Sequence, residues 1–212
     1  MSKLCVQYGC GLSAPDKWEN FDTSPTLRIQ KTPLLGSLVK SRLNAVFPDN
    51  VKYGDIVKGL PVSNNSCDAV YCSHVLEHLS LQDFRVALAN TYKILKPGGT
   101  FRCVVPDLEV IAKRYVAAID QKKENASIDF CGNSSLMGVF ERPKGFKGML
   151  TSYFGNAHHL WMWDHHSLTA ELKKAGFKNI RKATFNDSKL EEFKLVEDSS
   201  RFNDAVALEC EK

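Results

Sequence analysis

Apolar positions along the chain follow two periods. Short runs that alternate or are almost wholly apolar are separated by stretches repeating near 3.6, which predicts strands alternating with helices and a mostly parallel sheet. Leu4 to Tyr8 is a first predicted strand and runs straight into Gly9-Cys10-Gly11. Trp18 to Asp22 is a second, and Val51 to Gly54 a third that leads to Asp55. Asp68 to Ser73 is a fourth, apolar after its acid, as a parallel strand covered on both faces should be. Thr100 to Val105 is a fifth, and Phe177 to Phe185 with Asp204 to Cys210 would finish the sheet.

Three helices are predicted with their ends. Between the fourth and fifth strands, Phe84, Leu88, Thr91/Tyr92 and Leu95 recur at helical spacing; Ser80 with Asp83 resembles a capping box, and Lys96-Pro97-Gly98-Gly99 stops the helix. Pro106 and Asp107 open a second, with Leu108, Ile111, Ala112, Tyr115 and Ile119 on one face. Asp164 is the predicted N-cap of a third, with Leu168, Leu172 and Ala175 buried and Gly176 as its stop. Two stretches resist the scheme. One, about 26–48, carries a helical pattern (Leu34, Leu35, Leu38, Val39, Leu43, Val46, Phe47) with Lys40 and Arg42 on its polar side. A core-facing helix is the ordinary meaning of that pattern, with a lid, a dimer contact or a membrane-surface contact as alternatives. The other, about 125–158, is Gly-containing and weakly periodic, with Phe140, Phe146, Tyr153 and Phe154 among Arg142, Lys144 and Lys147; such a segment can close over an acceptor as a lid.

Composition narrows the classes. The 212 residues are 43% hydrophobic and 25% charged, which suits one domain with a sizeable core. A net charge of +4 is too small a bias to predict a nucleic-acid partner. No apolar run reaches the ~18 residues of a membrane span, and no signal-peptide pattern is expected at the N-terminus. The seven cysteines are scattered singly, without Cys-x-x-Cys, and read as reduced core thiols of a cytoplasmic protein. The sequence does not declare an oligomeric state.

Gly9-Cys10-Gly11 after a buried strand is a tight turn where backbone can come close to a ligand. With Ala14 it reads G-x-G-x-x-A, the dinucleotide fingerprint. A nicotinamide-dependent dehydrogenase places its ribose-binding acid roughly 20 residues past the glycines. Here Asp22 ends the second strand only eleven residues after Gly11, too soon for a full crossover helix.

Six pieces in order resemble the class I S-adenosylmethionine-dependent methyltransferases. They are Tyr8-Gly9-Cys10-Gly11, Trp18 to Asp22, Gly54-Asp55-Ile56, Leu60-Pro61-Val62 with Ser66 to Val70, His74-Val75-Leu76-Glu77-His78-Leu79, and Leu95 to Gly99. His159 to Asp164 with Ala175-Gly176-Phe177 is similar to a little-characterised bacterial branch of that family, whose associations suggest sugar, glycan or lipid-like acceptors. The resemblance implies one α/β domain over 1–212, Rossmann-like and doubly wound, with seven mostly parallel strands and an antiparallel C-terminal strand. It implies S-adenosyl-L-methionine as cofactor. Gln7, Tyr8, Gly9 and Gly11 would flank its methionine and ribose portions, and Asp22 would accept the ribose hydroxyls. Asp55 and the Ile56 backbone would read the adenine, and Ser73 and His74 would stand near the transferred methyl. Gln7 departs from the acid or Asn frequent at its position and brings no charge to the cofactor's ammonium group. The Asn-Pro-Pro-Tyr element of nucleobase amino-methyltransferases is absent, which argues against DNA methylation.

A protonated oxygen or nitrogen nucleophile needs a base, and histidine works near neutral pH. His74 and His159 are the candidates. His158, His159, His165 and His166 crowd beside Asp164, yet neighbouring histidines on one element point apart, and no metal site is assigned. A plain polar helix start beside buried Trp161 and Trp163 is the simpler alternative there, and His74 and His78 can equally be the opening turn of a helix. The resulting expectation is a methyltransferase acting on an O or N atom of a small molecule, sugar, glycan or lipid-like acceptor. A non-catalytic cofactor-binding or regulatory protein of the same fold is the alternative; a nicotinamide-dependent oxidoreductase is disfavoured by the early Asp22.

Overall fold

The computed structural model describes residues 3–32, 46–133 and 158–212. Residues 33–45 of the predicted insertion and 134–157 of the predicted lid lie outside the described residues. The strands are β1 (Cys5–Tyr8), β2 (Trp18–Asp22), β3 (Val51–Tyr53), β4 (Cys67–Ser73), β5 (Leu95–Pro106), β6 (Lys178–Lys182) and β7 (Ala205–Glu211). They form one sheet in the order β3-β2-β1-β4-β5-β7-β6, in which β7 runs antiparallel to both its neighbours and the other pairs are parallel. The order reverses between β1 and β4. In such a sheet the ligand crevice lies outside the carboxyl ends of the strands at that reversal.

Strand alternation divides the core. Val6, Tyr8, Val70 and Cys72 face one layer, where Phe84 and Leu88 of helix α2 (Leu81–Ile94) and Leu168 and Leu172 of helix α5 (His165–Lys174) are fully buried. Cys5, Trp18, Ala69 and Tyr71 face the other layer. No helix crosses between β1 and β2 to cover it; instead Phe193 and Val196, from the β6–β7 connection, pack against Trp18 and Tyr71. The remaining described helices are α1 (Pro25–Gln30), α3 (Leu108–Asp120) and α4 (Ala126–Asn133).

Helix ends follow the predicted caps. Ser80 Oγ accepts from the Asp83 N–H at 3.1 Å, and Asp164 accepts from His166 and Ser167 at 2.8 Å each. Strand β5 begins earlier than predicted: Leu95 pairs with Cys67, the register then shifts, and Ala69 pairs with Thr100. Lys96-Pro97-Gly98-Gly99 is therefore a bulge within the strand as well as the end of α2. A Cβ on Gly99 would lie 2.9 Å from the Cys67 carbonyl, and Lys96 anchors the bulge on Asp68 at 2.8 Å.

One apolar helix face packs outside the core, and the expectation of two buried tryptophans before α5 is corrected. The apolar stripe of α3 is not core: none of its residues is buried, and Ile119 is half exposed. Ile111 and Tyr115 instead line an open cavity, with Tyr115 against Phe130 of α4 at a centroid distance of 4.7 Å. Of the two tryptophans before α5, Trp163 is buried and stacked on Phe84 at 4.1 Å, whereas Trp161 is exposed. All seven cysteines are free, and burial pushes the thiols of Cys103 and Cys10 up to about 12, as unreactive core thiols require.

Helices α2 and α5 are tied by a forked ion pair in which Arg85 donates to both Glu171 oxygens at 2.8 and 3.0 Å. Arg85 and Lys174 hold the Glu171 carboxyl down to about 2, from 4.5. A lowered carboxylate pKa stabilises the fold above the unfolded value and is lost as pH falls through the folded one. Because Arg85 is half exposed, solvent screening leaves about 1–2 kcal/mol of the roughly 3 that the full shift implies. Urea unfolding should therefore show that Glu171→Gln costs this amount at pH 7 and almost nothing near pH 2. An equal loss at both pH values would show that packing, not the ion pair, carries the effect.

Candidate active site

The glycine turn sits at the carboxyl end of β1. Gly9 and Gly11 have φ of +66° and +56°, the left-handed region that glycine enters without strain. A Cβ on Gly9 would meet Val75 Cγ2 at 2.2 Å, so only glycine lets the turn pass beneath the end of β4. Asp22 fixes the turn from the neighbouring strand: Oδ2 accepts from the Gly11 N–H at 2.9 Å and Oδ1 from Ser24 N–H at 2.7 Å. Each oxygen keeps a second lone pair. Gln7 is buried, and its Nε2 donates to Ser13 O and Asn20 Oδ1 at 2.8 and 2.6 Å, so it braces the same loop.

Gln7, Tyr8, Gly9, Gly11 and Ser73 line one cleft of about 780 Å³, closed on its far side by Val196, Asp198 and Arg201. The Tyr8 ring is turned away from it into the core, where its hydroxyl meets Thr91 Oγ1 at 3.2 Å; only the Tyr8 backbone is placed to meet a ligand. The hydroxyls of Ser73 and Tyr71, on one face of β4, find no well-formed hydrogen bond. Asp55 and Ile56 lie just after β3. Asp55 Oδ1 caps the turn by accepting from Val57 N–H at 2.9 Å, and the Ile56 carbonyl accepts from Asn90 Nδ2 at 2.8 Å.

One residue beyond Ser73 a second space opens. His74 and His159 line a cavity of about 510 Å³ with Ile111, Tyr115 and Phe130 as its apolar wall and Arg114, Lys123 and Asp129 as polar groups. His74 occupies φ +55°, a strained conformation for a non-glycine residue. Its Nε2 donates to the Arg201 carbonyl at 3.0 Å, and its Nδ1 lies 3.3 Å from Glu77 Oε1. Burial opposes a charge on this ring, but Glu77 and the Arg201 carbonyl outweigh it and hold the pKa above the ordinary imidazole value. With Nε2 bonded to the Arg201 carbonyl and Nδ1 turned toward Glu77, His74 is poorly placed to take a proton from an acceptor.

His159 reaches the cavity from the far end of the chain. The Leu160 and Trp161 N–H groups donate to the Glu77 carbonyl at 2.8 and 3.1 Å, and the His159 ring lies edge to face with His78 at 5.0 Å. His165 and His166 belong to the start of α5 instead. Glu77 and His78 were not singled out as site residues in the sequence. Their only signal is the His-Val-Leu-Glu-His spelling, which says nothing of which segment packs over it.

A glycine cleft at the reversal point of a mostly parallel sheet, with an acid at the end of the adjacent strand, defines an α/β protein built to bind a nucleoside-containing cofactor. The sequence profile of the methyltransferase domain matches residues 14–182. The chain belongs to the methyltransferase-domain family, the class I S-adenosylmethionine-dependent methyltransferases that its motifs resemble. It is 28% identical over 172 residues to an uncharacterized protein of Saccharomyces cerevisiae, YBR225W, covering 76% of this chain and 18% of that one. It is 32% identical over 80 residues to an mRNA cap guanine-N(7) methyltransferase of Lodderomyces elongisporus, covering 38% and 14% respectively. The chain thus spans less than a fifth of the length of these curated relatives. Among solved structures, a SAM dependent methyltransferase from Archaeoglobus fulgidus superposes with a TM-score of 0.48 at 13% identity, over 99% of this chain and 86% of the other. No helix among the described residues is long and apolar enough to cross a membrane.

Proposed function

We propose that this chain moves the methyl group of S-adenosyl-L-methionine to an O or N atom of a small molecule, sugar or lipid-like acceptor held in the cavity between α3 and α4. The observation that carries this reading is the adjacency of two spaces at one strand end: Ser73 lines the glycine cleft and His74, the next residue, lines the cavity. A cofactor in the first and an acceptor in the second meet at the end of β4.

In this reading the turn at Gly9 and Gly11 admits the cofactor, the Gln7 carbonyl oxygen faces its ammonium group, and the outer lone pairs of Asp22 accept the ribose hydroxyls. Asp55 and the Ile56 backbone take the adenine edge. Methyl transfer from a sulfonium is an in-line displacement, so alignment and exclusion of water supply most of the acceleration. His159 activates the acceptor atom, and His74 positions Glu77 beneath it. An acceptor with an apolar body fits Ile111, Tyr115 and Phe130, while Arg114 and Lys123 suit a polar or anionic head.

The test is turnover: radiolabelled methyl transfer from S-adenosylmethionine to a panel of phenols, sugars, amines and lipid headgroups. No transfer to any of them, with S-adenosylhomocysteine still bound, would favour the non-catalytic alternative. Binding has its own prediction. Asp22→Ala should weaken S-adenosylhomocysteine by the 1.5–3 kcal/mol of a lost charge-assisted acceptor, or roughly 10- to 150-fold by calorimetry. Unchanged affinity would remove Asp22 from the cofactor site.

A further inference from the structure

Glu77 is a fully buried carboxylate, 0% exposed, in the turn that follows β4. Neither of its oxygens has a well-oriented hydrogen bond, and its neighbour His74 approaches Oε1 only to 3.3 Å. His74 offsets one side of this buried carboxylate, while Oε2 has no partner among the described residues, an arrangement that is unfavourable unless a further cation completes it. Two further ligand-bearing side chains converge on the same point. One donor atom from each of Glu77, His78 and His159 lies within 4.8 Å of the other two.

His78 is already oriented for the task. Its Nδ1–H donates to the His158 carbonyl at 3.2 Å, which fixes the tautomer and leaves the Nε2 lone pair 4.0 Å from Glu77 Oε1. A backbone carbonyl on the far ring nitrogen is how metal-binding histidines are commonly held. The paired N–H bonds from Leu160 and Trp161 to the Glu77 carbonyl clamp the His159 segment onto this turn, so the three donors share one rigid frame.

We infer that Glu77, His78 and His159 bind one divalent first-row transition-metal cation at the acceptor side of the transfer site. Two imidazoles and one carboxylate suit zinc, manganese, iron(II) or cobalt, whereas magnesium and calcium favour all-oxygen sets. Bonds of about 2.1 Å require the three donor atoms to draw together by about an ångström, which side-chain torsions supply. Three protein ligands leave at least one position open, as in catalytic rather than structural sites.

Its chemistry rests on the methyltransferase reading above and deepens it: the acceptor is a hydroxyl compound. The acceptor oxygen takes the open position, its pKa falls, and its proton passes to water. The oxygen's electron pair then forms the O–CH₃ bond while the S–CH₃ bond breaks and its pair stays on sulfur. The products are a methyl ether and neutral S-adenosylhomocysteine. In this arrangement His159 activates the acceptor through the cation.

The experiment strips the full chain with EDTA and titrates it with Zn²⁺, Co²⁺ and Mg²⁺ by calorimetry, with Co²⁺ uptake also followed by visible absorption. One equivalent of Zn²⁺ or Co²⁺ should bind at least 100-fold tighter than Mg²⁺ and raise the melting temperature. Glu77→Gln and His159→Ala should each weaken that binding at least 100-fold while circular dichroism remains that of the parent. His159 is half-buried in a connecting segment, so its variant keeps the test open if Glu77→Gln fails to fold. Absence of stoichiometric binding, or binding that a folded variant leaves unchanged, overturns the site. S-adenosylhomocysteine affinity should be the same before and after stripping. A protein that takes up the cation but never binds S-adenosylhomocysteine upholds the site and overturns the transferase reading.

Discussion

Arg102→Leu is expected to lower the free energy of unfolding by about 3–5 kcal/mol, the ordinary cost of removing one partner from a buried ion pair. Arg102 stands in the middle of β5 with no exposed surface. Its Nε donates to Glu197, itself fully buried, while Nη1 reaches Glu209 and Asp187 at 3.0 and 2.9 Å and Nη2 donates to the Thr184 carbonyl at 2.6 Å. Without the guanidinium, Glu197 keeps only the Asn186 N–H at 2.6 Å and becomes an uncompensated charge inside the protein. Urea unfolding at pH 7 measures the loss. The double variant Arg102→Leu/Glu197→Leu should recover most of it, because an apolar pair leaves no charge unpartnered. If the single variant unfolds within 1 kcal/mol of the parent, the β6–β7 connection is not anchored through this residue. The effect should reach the glycine cleft too, since Asp198 and Arg201 on the same connection form its far wall.

That network marks the boundary of what the sequence discloses. The alternation of Trp18 to Asp22 and the caps at Ser80, Asp107 and Asp164 are local, and each element begins where its own residues dictate. Arg102 lies in an apolar run that reads as a plain buried strand, and its carboxylate partners stand 85 to 107 positions further along the chain. No local period carries that pairing. The same holds for the sheet's second face: the short link from β1 to β2 implies a missing helix, but not that Phe193 and Val196 cover the gap.

The site divides in the same way. The glycine turn, Asp22 and Ser73 were legible because a tight turn, a strand-ending acid and a strand end are properties of a few adjacent residues. The histidines were legible as a crowd and not as a set. His158, His159, His165 and His166 are neighbours in sequence, yet the fold keeps His165 and His166 at the helix start and carries His159 to His78. Two hydrogen bonds to one carbonyl, that of Glu77, make the junction. The sequence assigns no metal because neighbouring histidines on one element point apart, and no local spacing shows that Glu77 and His78 converge with His159 from about eighty residues away.

His159→Ala should reduce turnover by about 10²–10⁴-fold while leaving S-adenosylhomocysteine affinity within a factor of two of the parent; this is the loss expected when a group that activates a protonated nucleophile is removed. The separation of effects follows from the geometry. His159 lines the cavity beyond His74, whereas the glycine cleft is built from Gln7 to Ser13, β4 and the β6–β7 connection, none of which depends on the His159 ring. Fold stability should also hold, because the ring is only half-buried and the clamp on Glu77 comes from the Leu160 and Trp161 backbone, which alanine at 159 leaves in place. The measurement is kcat and KM on whichever acceptor the panel identifies, with calorimetric binding of S-adenosylhomocysteine alongside. A fall confined to kcat places His159 at the reacting atoms; a rise in the acceptor's KM alone would make it a wall of the cavity. Full activity in a folded variant would remove His159 from the reaction and leave acceptor activation to groups around His74.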